Sequence, residues 1–135
     1  MSQVKRVHHI ALVVEDLEKT LTFWRDVMGI ELSQIQDMPQ EEAQIAFLPL
    51  QNSEIELVLP KNDDSGLGKY LAKRGPGIHH ICFEVDDLDA IIARLKEKQI
   101  RLINEQPRTN QSGRRYIFIH PESTFGVLVE LYEQI

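Results

Sequence analysis

Two histidines and two glutamates recur at matching positions of an imperfect internal repeat in this chain of 135 residues. Residues 8–18 (HHIALVVEDLE) resemble residues 79–89 (HHICFEVDDLD), with six of the eleven positions identical. The histidines are 71 residues apart and the glutamates 74. Since repeated units usually stack on a common face, the repeat predicts that four side chains converge on one centre. The four are His9, Glu56, His80 and Glu130.

Two imidazoles and two carboxylates suit a divalent transition ion better than a structural zinc site. Structural zinc favours a closed tetrahedron of mainly thiolates, and the chain has one cysteine, Cys82. A mixed nitrogen and oxygen donor set fits Co²⁺, Zn²⁺, Ni²⁺, Mn²⁺ or Fe²⁺, and the spacing does not choose among them. Open coordination positions would let the ion polarise a substrate carbonyl and stabilise the charge that develops on its oxygen. We therefore predict one divalent metal ion per chain.

The hydrophobic pattern predicts two tandem βαβββ modules that would position these ligands. Module one covers residues 1–60, a connection follows at 61–76, and module two covers 77–135. In module one, Asp16 offers an N-cap for a helix that the apolar spacing extends to Gly29. The four strands predicted in this module span residues 7–14, 30–35, 43–50 and 55–59.

Module two repeats the same order of elements. Asp87 begins its helix, and a further short helix is predicted over residues 65–74 of the connection. The predicted strands of this module span residues 78–85, about 100–103, 115–119 and 126–132.

Strand alternation places each predicted ligand opposite an apolar face. In the first strand, three alternate apolar residues share one face and His9 lies on the other. The same alternation separates His80, Glu56 and Glu130 from their apolar neighbours. The expected fold is therefore α+β, with the two modules forming a curved mixed sheet around a metal-binding cleft. His8 and His79 precede the ligand histidines, and we expect them to be strand-end or supporting residues rather than ligands.

Composition excludes several classes of partner. The formal net charge of −6 argues against nonspecific binding to nucleic acid or to an anionic membrane surface. No apolar stretch has the length of a membrane span. The first residues contain no apolar signal-peptide core, and the single cysteine agrees with a reducing compartment, so a cytoplasmic location is expected.

The chain resembles the vicinal oxygen chelate superfamily, which includes glyoxalase I, and within it the methylmalonyl-CoA epimerase family. The resemblance covers nearly the whole chain and rests on the His…Glu…His…Glu order and on five stretches. These are HHIALVVEDLEKTLTFWRDVMGIEL, IELVLP, the acidic NDDSG, GIHHICFEVDDLDAIIARLKEKQIRL and IFIHPESTFGVLVEL. Carried over position by position, it implies the metal ligands His9, Glu56, His80 and Glu130.

The resemblance implies epimerisation of methylmalonyl-CoA, or of a similar acyl-CoA, by 1,1-proton transfer through a metal-stabilised enolate. Glu130 is the implied catalytic residue, because it could loosen from the metal and exchange a proton with the α-carbon. Family members commonly pair their subunits, so a homodimer is expected. The basic residues that could contact coenzyme A phosphates are Lys69, Lys73, Arg74, Arg108, Arg114 and Arg115.

The second proton carrier stays open. Family members can place a catalytic glutamate on the strand that here contains Gln44, which cannot act as a base. Glu42 and Glu54 are the nearby alternatives. Glyoxalase I chemistry on a thiol hemithioacetal is the nearest rival function, and a non-catalytic small-molecule-binding or resistance protein is the alternative from another class. The four-ligand set disfavours an extradiol dioxygenase, because such an enzyme would normally use two histidines and one carboxylate on Fe²⁺.

Overall fold

The computed structural model describes residues 2–134 and has an α+β fold with an eight-stranded mixed sheet. The fold class predicted from the sequence is confirmed. The chain divides into two compact units, one made of residues 10–79 and the other of residues 1–9 and 80–135. Strand β1 (Val4–Val13) contributes its first half to one unit and its second half to the other. The division into modules at residues 1–60 and 77–135 stays a prediction of the repeat.

The unit of residues 10–79 pairs β2, β3 and β4 as antiparallel neighbours. Its core packs the helix against alternate strand residues, as the apolar pattern predicts. Seven buried residues form this core: Val14, Leu17, Leu21, Ala46, Leu48, Ile55 and Leu57. The elements are α1 (Leu17–Leu21), a π-helix (Thr22–Val27), β2 (Gln34–Met38), a 3-10 helix (Pro39–Glu41), β3 (Ala43–Pro49), β4 (Glu54–Pro60) and α2 (Gly66–Arg74).

The first helix differs from the regular α-helix predicted up to Gly29. It begins as predicted, because the Asp16 side chain accepts a hydrogen bond from the Lys19 amide at 3.0 Å. Beyond Leu21 it continues as a π-helix, in which the Met28 amide donates to the Phe23 carbonyl five residues earlier. Gly29 ends the helix with a positive φ of 78°.

The unit of residues 1–9 and 80–135 contains both parallel and antiparallel strand pairs. Strands β5 and β8 are parallel, whereas β8 with β7 and β7 with β6 are antiparallel. Asp87 caps the helix, as predicted, by accepting from the Ala90 amide at 3.0 Å. The elements are β5 (Gly77–Val85, of which 80–85 belong to this unit), α3 (Leu88–Glu97), β6 (Arg108–Thr109), β7 (Arg115–Ile119), a 3-10 helix (Pro121–Thr124) and β8 (Val129–Glu133).

The strand predicted near residues 100–103 is reduced to a single bridge between Leu102 and Ile119. The ladder ends there because the Asn104 side chain, at 2.9 Å, replaces a backbone acceptor for the Phe118 amide. The last strand begins at Val129 rather than at residue 126. Phe125 and Gly126 both have positive φ, which an extended strand does not accommodate. Among residues 2–134, no helix is long and apolar enough to cross a membrane.

Candidate metal centre

Three of the four predicted ligands meet within the unit of residues 1–9 and 80–135. Glu130 Oε1 lies 3.0 Å from His80 Nε2 and 3.2 Å from His9 Nε2. The two Nε2 atoms are themselves 3.2 Å apart. His9 is only 2 % exposed and Glu130 5 %. The sequence prediction that these side chains converge is therefore confirmed for His9, His80 and Glu130.

The register of the parallel pair explains how His80 and Glu130 come together. Cys82 of β5 lies opposite Glu130 of β8, and His80 is two residues before Cys82 on the same strand face. The repeat and the alternation indicated the face of each residue. The parallel pairing of β5 with β8 supplies the side-by-side position.

The electrostatics of the cluster favour a cation. Burial opposes ionisation of the Glu130 carboxyl, but its hydrogen bonds with His80 and His9 outweigh burial and lower its pKa to about 2. A buried carboxylate and two imidazole nitrogens thus face one another, with the three donor atoms all within 4.8 Å. This donor set fits a divalent transition ion.

Glu56, the fourth predicted ligand, is a buried residue of β4 in the unit of residues 10–79. It pairs with Phe47 of β3, and alternation places Ala43 and Ile45 on the same side of β3 as Phe47. Its role as fourth ligand stays a prediction.

As the sequence indicates, β3 carries no carboxylate that could act as the second proton carrier. Gln44 pairs with Leu59 and therefore points away from the face of Glu56. Glu42 is exposed at the end of the 3-10 turn with a φ of 51°. Glu54 begins β4, shares the face of Glu56 and is half-buried. Glu42 and Glu54 stay the alternatives.

A partly buried polar chain behind His9, made of His8, Arg114, Glu84 and Arg6, was not identified from the sequence. His8 Nδ1 lies 2.8 Å from His9 Nδ1, and Arg114 Nη1 lies 2.9 Å from His8 Nε2. Arg114 Nη2 donates to Glu84 at 2.9 Å, and Arg6 pairs with the same carboxylate. The sequence signal was Glu84, a charged residue inside the apolar run of β5. His8 thus contacts a predicted ligand, and its supporting role stays a prediction.

The charge states of His8 and Glu84 in this polar chain follow from their neighbours. Burial, then the neighbouring His9 and then the Arg114 guanidinium lower the pKa of His8 to about 4. For Glu84, burial raises the pKa, but the hydrogen bonds and charge of Arg6 and the charge of Arg114 reverse that effect, and the net pKa is lowered. His8 is therefore neutral and Glu84 ionised at neutral pH.

The basic residues considered for coenzyme A phosphates have unequal environments. Arg114 is largely buried against Glu84, and Arg115 forms ion pairs with Asp89 and Glu133. The cations of α2, which are Lys69, Lys73 and Arg74, are exposed.

Comparison with known families decides the assignment. Residues 8–118 match the model of the glyoxalase/bleomycin resistance protein/dioxygenase superfamily. The chain belongs to this superfamily. The resemblance noted in the sequence is therefore confirmed.

Relatives in this superfamily include several epimerases. The chain is 39% identical to mitochondrial methylmalonyl-CoA epimerase of Mus musculus over 127 residues, which are 93% of the chain and 71% of the relative. It is 37% identical to ethylmalonyl-CoA/methylmalonyl-CoA epimerase of Cereibacter sphaeroides, covering 98% and 99%. A solved structure of a variant Streptomyces coelicolor methylmalonyl-CoA epimerase, in complex with 2-nitronate-propionyl-CoA, superposes with a TM-score of 0.88 at 33% identity, covering 98% and 96%.

Proposed function

We propose that this protein is a divalent-metal-dependent epimerase of methylmalonyl-CoA or of a similar acyl-CoA. The observation that carries the proposal is the buried Glu130 carboxylate between two imidazole nitrogens, in a chain that resembles methylmalonyl-CoA epimerases over almost its full length. A carboxylate that can exchange a proton beside a cation site is what 1,1-proton transfer next to a thioester requires.

His9, His80 and Glu130 would hold the ion, with Glu56 as the fourth ligand. When bound, a divalent ion withdraws charge from carbonyl oxygens and so acidifies the carbon between the thioester and the carboxylate. The residues of the chain then have to orient that carbon and move its proton.

Glu130 is the residue that we assign to proton transfer on one face of the α-carbon. Its lowered pKa keeps it a carboxylate at neutral pH but makes it a weak base, so it takes up a proton only when its contacts with His80 and His9 loosen. Both imidazole contacts are made by Oε1. The other oxygen, Oε2, is therefore the atom that we assign to the proton. A second group has to return a proton on the opposite face, and Glu54 and Glu42 are the candidates.

Proton exchange at the α-carbon tests this function. Purified protein of measured metal content would be incubated with one epimer of methylmalonyl-CoA in D₂O and followed by NMR and chiral analysis. We expect deuterium incorporation with inversion, and loss of both after chelator treatment because the carbonyl charge is no longer stabilised. Addition of the metal back should restore them.

Two outcomes would redirect the proposal. Exchange without inversion would support formation of an enolate but show that no second group returns the proton on the opposite face. Absence of exchange with a stoichiometric bound metal would contradict epimerisation of this substrate. Conversion of methylglyoxal plus glutathione by that same preparation would then indicate the glyoxalase alternative.

The remaining parts of the proposal concern the assembly and the thiol carrier. We propose a homodimer, which light scattering of the purified protein measures directly. The exposed cations of α2 are our candidates for coenzyme A phosphates, because an ammonium or guanidinium group in solvent can pair with phosphate oxygens.

A further inference from the structure

The polar chain behind His9 constrains where protons lie on the two adjacent histidines. His9 uses its two ring nitrogens for different partners: Nε2 faces Glu130 and His80, and Nδ1 faces His8. His8 in turn contacts His9 through Nδ1 and Arg114 through Nε2. Each contact between nitrogens needs one donor and one acceptor.

Arg114 decides the direction of these hydrogen bonds. A guanidinium group has only donors, so His8 Nε2 must accept and carries no proton. The one proton of the His8 ring is then on Nδ1 and is donated to His9 Nδ1. That leaves the proton of a neutral His9 on Nε2, the nitrogen that faces Glu130.

A metal ion at His9 Nε2 requires the opposite arrangement. The coordinating nitrogen must offer its lone pair, and the other ring nitrogen of a ligating histidine normally donates its proton to a neighbour. His9 Nδ1 would then donate to His8 Nδ1, and the proton of His8 would be on Nε2. There it would point at the N–H groups of Arg114.

We propose that Arg114 is a positioning residue that weakens divalent-metal binding by holding His8 in the tautomer that opposes ligation through His9 Nε2. Arg114 is held in place by Glu84 at 2.9 Å and by the Tyr132 ring, whose centroid is 5.1 Å from Cζ. The metal affinity is thus set by the Arg114–His8 contact as well as by the ligands. The inference rests on the metal site of the proposed function.

Metal titration of two variants of the full chain tests this inference, with Co²⁺ alone as the probe. Arg114→Met removes the donor that fixes His8. His8→Asn keeps Arg114 but replaces Nδ1 by an amide oxygen, which accepts from His9 Nδ1–H without a competing proton. Partners outside the ligand shell act on metal affinity on a scale of about 10- to 100-fold. Because each variant removes a contact that opposes ligation rather than one that supports it, we expect Co²⁺ to bind about tenfold more tightly to each variant.

Arg6→Met is the matched control, since it removes an equal positive charge that pairs with the same Glu84 carboxylate. It should leave the dissociation constant within about twofold of the wild type, on the scale expected of an exposed ion pair. Nitrogen-15 NMR of the Zn²⁺-loaded wild type should also show the proton of His9 on Nδ1 and that of His8 on Nε2. Circular dichroism would establish whether each variant is folded. If Arg114→Met does not fold, His8→Asn provides the test.

Unchanged or weaker Co²⁺ binding by folded Arg114→Met or His8→Asn would overturn the inference. Equal tightening by Arg6→Met would also overturn it, since charge alone would then explain the effect. If all four proteins bind Co²⁺ with one affinity, the inference falls and the proposed function stands. If none of the four binds Co²⁺, the proposed metal centre falls as well.

Discussion

Replacement of Glu130 by glutamine is expected to abolish metal retention and to slow α-proton exchange by about 10²- to 10⁴-fold, the range for removal of a general acid or base. The substitution keeps the size of the side chain but removes the negative charge that faces His9 and His80 at 3.0–3.2 Å. A neutral amide is a poorer ligand for a divalent ion and cannot take up the α-proton. Metal content of the purified protein and the deuterium exchange rate measure the two losses separately.

Glu133→Gln is the matched control for Glu130→Gln. Glu133 is also on β8, but it pairs with Arg115 at 3.1 Å rather than with the histidines. It should keep both the metal and the exchange rate. Retention of metal and of wild-type exchange by Glu130→Gln would remove Glu130 from both proposed roles. Retention of metal with loss of exchange would leave it the proton role alone.

Replacement of Gly68 by alanine is expected to lower the free energy of unfolding by about 1–3 kcal/mol, the usual cost of overpacking a tight site. An added Cβ would overlap the carbonyl oxygen of Asn62 and lie 2.9 Å from the Cα of Asp63. The turn cannot move away cheaply. Ser65 Oγ donates to the Asn62 carbonyl at 3.1 Å and accepts from the Gly68 amide at 3.0 Å. Denaturant unfolding followed by circular dichroism gives the difference.

Gly66→Ala, in the same helix, separates this steric cost from helix propensity. No atom lies within 4 Å of a Cβ added at Gly66, and its φ lies outside the positive range. Alanine there should leave stability unchanged or raise it by up to about 1 kcal/mol. Equal stability of Gly68→Ala and Gly66→Ala would show that the turn at Asn62 yields without loss.

The candidate site was partly predictable because two of its signals are local. The internal repeat marks His9 and His80, and strand alternation assigns Glu130 to a face opposite its apolar neighbours. The same kind of local signal identified Asp16 and Asp87 as helix caps, since a capping side chain reaches only to the first turn.

Other features of the fold could not be predicted, because they depend on hydrogen bonds that differ from those of a regular helix or strand. The helix from Leu17 is predicted to be regular, but its second part has π geometry, in which the Met28 amide bonds to the Phe23 carbonyl. The strand near residue 102 was predicted from its apolar residues, but the Asn104 side chain satisfies the Phe118 amide and ends the ladder. In each case a hydrogen bond outside the regular pattern decides the outcome.

The sequence by itself determined the α+β class, the faces of the strands and three side chains of the candidate metal centre, because periodicity and repetition act along the chain. Only the tertiary structure supplied the parallel register of β5 with β8 that places Glu130 beside His80. It also decided that Arg114 reaches His8 from 106 residues away. A buried guanidinium takes whichever acceptor the folded neighbours offer, and that choice is made in space rather than along the sequence.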